Sequence, residues 1–194
     1  MTDIKVREIM ANYIQTDLPD VIIIVPTVFE DDRGYFFESY HDEEFAERIG
    51  KLTFVQDNES KSSYGVLRGL HYQLPPFAQS KLVRVIDGKV LDVAVDIRRD
   101  GPTFGRHVAV ELSGENRRQL FIPRGYAHGF VVLTGTAIVQ YKVDAYYSRE
   151  HERGLLYNDP AIGIDWQIKP EEIILSEKDR DLPGLEELSA SNDV

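Results

Sequence analysis

The chain contains no cysteine. Disulfides, thiolate catalysis, zinc fingers and iron–sulfur clusters are thereby excluded. It is also short of positive charge, with 22 Lys and Arg against 33 Asp and Glu and a formal net charge of −11. An excess of that sign argues against non-specific binding to nucleic acid or anionic membranes, so neither is expected as a partner. An anionic substrate would need a local basic pocket within an acidic protein. Long apolar runs are missing as well. The longest obvious one, Val21 to Val25, has the length of a strand core and not of a membrane span. The first residues lack the apolar core of a signal peptide, and a cytoplasmic protein is expected.

What is present points to a β-rich globular chain. With 194 residues the expectation is a single domain over 1–194, long enough to bury a real core. Ten Tyr, nine Phe and 42% hydrophobic residues exclude a disordered chain. Val90 to Ile97 alternates cleanly, with Leu91, Val93, Val95 and Ile97 on one face and Asp92 and Asp96 on the other. His107 to Leu112, Gln119 to Ile122, Gly129 to Leu133 and Ala137 to Val143 continue the pattern between Gly, Pro, Ser and Asn turn signals. Short strands at this spacing predict an all-β antiparallel sandwich or jelly roll with short peripheral helices. Val6, Ile9, Met10, Tyr13 and Ile14 fall at helical spacing. They predict a helix over 3–15 within an N-terminal extension of about 1–17. Asp42 to Ile49 reads as a charged helix stopped by Gly50, and 169–194 as helical or turn-rich. There is no repeat, low-complexity tract or interdomain linker.

Two segments carry chemistry. Leu67-Arg68-Gly69-Leu70-His71-Tyr72-Gln73 sets an arginine and a histidine three residues apart in a strand-like run. Strict alternation would put them on opposite faces, so Gly69 is expected to mark a bulge that re-aims one of them. A cation that can hold phosphate beside an imidazole that moves protons near neutral pH is a usable pair. The bland alternative is a sheet residue plus a satisfied histidine. The second segment is Phe121 to Phe130, where Pro123 and Gly125 impose a turn and His128 enters an apolar strand. Asp92 lies on the minority polar face of its strand. It calls either for a partner, with His128 the candidate, or for solvent. Arg84 alternates in register with Leu82 and is a further candidate for the same interior.

Pro123-x-Gly125-x-x-His128 resembles the second signature of the cupin superfamily, whose fold is a double-stranded β-helix, or jelly roll. A metal-binding cupin would add a His-x-His pair and a Glu, whereas this chain offers His71-Tyr72-Gln73. With five histidines in all, and His41 and His151 in charged contexts, a three-histidine metal set is hard to assemble. No metal is expected.

The resemblance to one metal-free jelly-roll family then runs along almost the whole chain. Phe29 to Ser39, Phe54-Val55-Gln56-Asp57-Asn58, Leu67 to His71 and Lys81-Leu82-Val83-Arg84 come in order. Asp92 to Asp96, Ile122 to Phe130, Tyr141-Lys142 and Tyr157-Asn158-Asp159-Pro160 follow. Together they are similar to the dTDP-4-dehydrorhamnose 3,5-epimerase family. The resemblance implies proton abstraction and return beside the ketone of a dTDP-linked 4-keto-6-deoxyhexose, without a cofactor. It also implies a homodimer with strands shared between subunits. By the same resemblance His71 matches the general base and Tyr141 the acid on the other face. Lys81 matches the cation beside the sugar, and Asp179 the carboxylate that pairs with the base. Arg33, Glu38, Gln56, Asn58, Arg68, His128, Glu152 and Lys178 match positions that contact the nucleotide sugar. Tyr146 and Tyr147 are candidate stacking partners for a base or sugar.

Read alone, several of these residues are unremarkable in type. Asp179 would be a solvated carboxylate, Arg33 a turn residue, Glu38 an edge charge and Lys178 part of a solvated face. The chain departs from the family pattern at Ser80, where Gly or Ala is common, and at Arg124, where Glu is frequent. The nearer alternative function is a single-site epimerase that inverts only C3 or C5. Beyond it stand a metal cupin and a non-catalytic nucleotide-sugar binder.

Overall fold

Turn residues cut the chain into short extended segments, and the computed structural model, which describes residues 10–190, pairs them into sheets. The first strands are β1 (Ala11–Gln15), β2 (Ile22–Pro26), β3 (Phe29–Asp31) and β4 (Gly34–Phe36). Helix α1 (Asp42–Arg48) leads to β5 (Gln56–Ser63), β6 (Leu67–Gln73), β7 (Lys81–Asp87) and β8 (Lys89–Asp96). Then come β9 (His107–Ser113), β10 (Gln119–Ile122), β11 (Tyr126–Val132), β12 (Thr136–Val143) and β13 (Glu152–Gly154). A 3-10 turn at Pro170–Glu172 and helices α2 (Glu177–Arg180) and α3 (Leu185–Ala190) follow.

Six strands form one sheet in the order β1-β2-β10-β7-β12-β5, and five form the other in the order β13-β6-β11-β8-β9. All their pairings are antiparallel. The two sheets pack face to face as a cupin-like jelly roll, with β3–β4 standing apart as a separate hairpin.

Alternation along β8 divides its side chains between two cores. Leu91, Val93, Val95 and the following Ile97 pack outward against Leu155, Ile162, Trp166 and Leu188 of the C-terminal segment. Val90 and Ala94 face the other way, joining Val83, Val85, Leu120, Ile122 and Val139 of the six-stranded sheet. Asp92 shares that inward face, which makes it an interior carboxylate and not a solvent-facing one. Each Val or Leu buried in this way contributes roughly 1.5–3 kcal/mol. A third cluster lies on the outside of the six-stranded sheet, where Phe45 of α1 meets Ile24, Leu82 and Phe121.

Helix α1 begins where the His41 Nδ1 accepts from the Glu44 N–H at 3.4 Å, and Gly50 follows its end at φ +134°. The N-terminal helix expected over 3–15 is corrected where the structure describes it. Ala11–Gln15 is strand β1, running antiparallel to β2 with Ala11 opposite Pro26 and Gln15 opposite Ile22. Tyr13 and Ile14 favour an extended chain here, and the Ile22–Val25 ladder satisfies the backbone that a lone helical turn would leave exposed. Ala11 and Tyr13 then point to the outer core while Ile14 stays exposed. Val6 and Ile9 lie outside the described residues.

Candidate active site

Gly69 decides which side chains of β6 reach the interior. It takes φ +127°, a region open to glycine. A Cβ there would lie 2.5 Å from Gly129 Cα and 2.8 Å from the His128 carbonyl oxygen. The register of β6 against β11 shifts at this point, between His128 and Phe130. Leu67 and Leu70 consequently share the outer core, and Arg68 and His71 share the inner cavity. The bulge expected from the sequence is present and turns both functional side chains the same way.

The cavity has a volume of about 450 Å³. Arg68 and His71 enter from β6, His128 from β11 and Glu152 from β13; Lys81 and Tyr141 enter from β7 and β12 of the facing sheet. Helix α2 contributes Lys178 and Asp179.

His71 Nε2 lies 2.6 Å from Asp179 Oδ1, and Asp179 is 2% exposed. Burial would raise the Asp179 carboxyl, but the hydrogen bond and charge of His71, with Ser176 and Lys178, outweigh it and hold the group below its ordinary value. An ionised carboxylate only accepts, so Nε2 carries the proton and Nδ1 is the nitrogen left to take another.

A second pair lies deeper. His128 Nε2 is 3.0 Å from both oxygens of Asp92, which is fully buried. His128 Nδ1 then accepts from Lys81 Nζ at 3.4 Å, and Lys81 also reaches the His71 carbonyl at 3.4 Å. Burial pushes the Lys81 ammonium down to about 8 despite the opposing charges of Asp92 and Glu152. Burial also lowers the His128 imidazole, with Asp92 opposing that shift and Lys81 adding to it. The Tyr141 phenol is raised by burial; Glu152 adds to the shift while Arg68 and Lys178 oppose it.

The mouth of the cavity is held by polar ties. Glu152 accepts from Lys178 Nζ at 2.9 Å and from the Tyr147 hydroxyl at 2.9 Å. Arg68 Nε donates to Ser62 Oγ at 3.1 Å.

Four expected binding residues lie outside this cavity. Arg33 sits on the exposed β3–β4 hairpin, paired with Asp31. Glu38 borders a small void beside Tyr40 and Glu44 near α1. Gln56 and Asn58 share a face of β5 with the cavity residue Ser60, and Gln56 Nε2 donates to Asn58 Oδ1 at 2.7 Å. Arg84 is excluded from the interior: it follows Leu82 to the outer face and lies over the Phe37 ring at 5.7 Å. Sequence reasoning passed over Gln73, Gln79 and Ser60 in the cavity wall. The one signal for Gln73 was its place two residues beyond His71 on the same strand. Among the described residues, no group of three or more His, Asp or Glu is arranged to hold a metal ion.

The sequence model of the dTDP-4-dehydrorhamnose 3,5-epimerase family matches residues 15–187. The chain is 55% identical over 169 residues to the dTDP-4-dehydrorhamnose 3,5-epimerase of Shigella flexneri, covering 87% of this chain and 92% of that one. The crystal structure of the Elizabethkingia anophelis enzyme of the same name superposes with a TM-score of 0.90 at 49% identity, covering 96% of this chain and all of the other. The dTDP-6-deoxy-D-glucose-3,5-epimerase of Legionella pneumophila, solved in complex with dTDP-4-keto-L-rhamnose, gives 0.88 at 48% identity over 92% and 96% of the two chains. A match of this extent, joined to a jelly roll whose interior brings the motif residues together, makes the chain a member of the dTDP-4-dehydrorhamnose 3,5-epimerase family.

Proposed function

We propose that this protein inverts C3 and C5 of dTDP-4-dehydro-6-deoxy-D-glucose to give dTDP-4-dehydro-L-rhamnose, a step of dTDP-L-rhamnose synthesis. The observation that carries the reading is the entry of His71 and Tyr141 into one cavity from facing sheets, with Lys81 beside them. A carbon next to a ketone is acidic because its lost proton leaves an enolate. In the proposed step His71 takes the proton, the C–H electron pair moves into the C4–O unit, and the Lys81 ammonium stabilises the oxygen's growing charge. That charge is larger in the transition state than in the ketone, so the contact accelerates the step. Tyr141 returns a proton to the same carbon from the opposite face. Nothing is oxidised or reduced overall, and the residues named supply the acid and the base.

Arg68, His128, Glu152 and Lys178 are proposed to hold the nucleotide sugar inside the cavity, with Tyr147 against the base or sugar. Arg33, Glu38, Gln56 and Asn58 fit the same role only if the site extends past this cavity. Exposed Phe29, Tyr35 and Phe36 on the β3–β4 hairpin favour a homodimer in which the hairpin leans on a second copy. A nucleotide-linked substrate goes with a cytoplasmic setting.

Incubation with dTDP-4-dehydro-6-deoxy-D-glucose in D2O, followed by NMR, tests the reading. Deuterium is expected at both C3 and C5 and is lost in His71→Ala. Label at one carbon alone would make the protein a single-site epimerase. Absence of exchange alongside tight dTDP binding would leave a nucleotide-sugar binder.

A further inference from the structure

The strand that carries His71 ends in a buried amide that belongs to neither histidine pair. Gln73 is 8% exposed, and its side chain bonds three main-chain groups on two different segments. Nε2 donates to the Phe77 carbonyl at 2.7 Å and to the Tyr146 carbonyl at 3.1 Å. Oε1 accepts from the Ser148 N–H at 2.6 Å. Phe77 lies in the loop after β6, whereas Tyr146 and Ser148 flank Tyr147 between β12 and β13. Two donors and an acceptor on one planar group are what an amide offers. An ionised glutamate keeps only the acceptor, and a methionine offers at most a weak one.

The segment so held is the one that brings Tyr147 to the cavity mouth. Before Tyr147, Gln79 Nε2 donates to the Ala145 carbonyl at 2.7 Å and Asp144 Oδ1 accepts from the Ser80 N–H at 2.6 Å; after it, the Ser148 carbonyl accepts from the His151 and Glu152 N–H groups at 3.1 and 3.0 Å. Each of those attachments holds one side of Tyr147, and Gln73 alone among them grips both. Gln73 also stands in the wall between the cavity and a separate groove of about 810 Å³. The base, the acid and the enolate-stabilising ammonium are anchored independently. His71 is tied to Asp179, and Lys81 and Tyr141 come from the opposite sheet.

We infer that Gln73 is a positioning residue, which sets Tyr147 at the cavity mouth and so governs how tightly the nucleotide sugar is held and not how fast its proton moves. The inference rests on the proposed epimerase reading. Loss of the amide frees the Tyr146 carbonyl and the Ser148 N–H, which loosens the backbone on both sides of Tyr147 and leaves every acid and base in place. The penalty therefore falls on KM.

The test uses the full chain with Gln73→Met, Gln73→Leu, Tyr147→Ala and the double variants Gln73→Met/Tyr147→Ala and Gln73→Leu/Tyr147→Ala. Steady-state turnover of dTDP-4-dehydro-6-deoxy-D-glucose is paired with calorimetric titration of dTDP. Gln73→Met is expected to raise both KM and the dTDP Kd about tenfold, with kcat within about threefold of wild type. Each double variant is expected to bind no more weakly than Tyr147→Ala alone, because the two changes remove one shared interaction. Additive losses in Kd would overturn the inference, and so would a fallen kcat at unchanged KM. Gln73→Leu, with its own double variant, carries the same comparison if the methionine variant does not fold. Wild-type protein that binds dTDP but does not turn over the sugar would overturn the epimerase reading, and the Kd comparison would still decide the role of Gln73.

Discussion

His71 Nε2 and Asp179 Oδ1 stand 2.6 Å apart although 108 residues separate them in the chain. The contact joins the first motif on β6 to the four-residue helix α2 and closes one side of the cavity. Burial makes the carboxylate's charge effective: at low local dielectric it favours the imidazolium that forms as His71 takes a proton.

Asp179→Asn keeps an acceptor for Nε2–H but removes that charge, so kcat is expected to fall by about 10² or more, within the range of acid–base contributions. The folded-state carboxyl lies below its unfolded value. Its contribution to stability is therefore complete above the unfolded pKa of about 3.9 and drains away as pH falls through the folded value. Acid titrations of wild type and Asp179→Asn, followed by circular dichroism, should converge in that range. Curves that run parallel to the lowest pH would show that the pair adds nothing to folding.

Lys81 gives opposite signs for activity and stability. With its ammonium at about 8, the neutral amine takes over above that pH and can no longer stabilise an enolate. A pH–rate profile should accordingly fall on the alkaline side from about pH 8. Between about 8 and the unfolded value of about 10.4, the unfolded chain holds a proton that the folded chain lacks. Stability contributed at this position therefore rises with pH across the window. Denaturant titrations at about pH 7 and about pH 9.5 should show wild type gaining on Lys81→Met. A constant gap between the two proteins would contradict the lowered ammonium.

The β-rich fold was legible because its strands are short, alternating and bounded by turn residues, as Val90 to Ile97 illustrates. Alternation does not say which face looks inward. The Asp92 face of β8 proved to be interior because the C-terminal segment covers the other one. The N-terminal spacing misled for a different reason: β2 supplies a pairing edge that no local periodicity can reveal. At the site, Gly69 announced the bulge, and Pro123 with Gly125 announced the entry of His128. Asp179 was readable only through family resemblance, since its partner is a long-range contact. For Gln73 the sequence offered only its place two residues beyond His71, because its role lies in the main-chain groups it meets and not in its neighbours along the strand.

Asp92 is fully buried and meets His128 Nε2 with both oxygens. Asp92→Ala leaves a buried N–H without an acceptor, which costs roughly 1–3 kcal/mol. For a chain of this size that loss lowers Tm by about 2–4 °C per kcal/mol. Asp92→Asn should lose less, because its side-chain oxygen can still accept. Equal Tm values for the two variants would mean that the hydrogen bond carries none of the effect.

Gly69→Ala tests whether the bulge, and not merely the residues beside it, builds the site. The new Cβ would press on the backbone of Gly129 and His128, and neither contact is the free end of a flexible side chain. The φ of +127° adds strain for any L side chain. Relief requires β6 to slip toward regular alternation, which turns Arg68 or His71 away from the cavity, since a one-residue change of register exchanges the two faces. The expected outcome is a loss of about 1–3 kcal/mol in stability together with a fall in kcat of about 10² or more, while Tyr141 and Lys81 on the facing sheet stay in place. Chemical denaturation measures the first and turnover the second. A destabilised variant with wild-type kcat would show that His71 reaches its working position without the bulge.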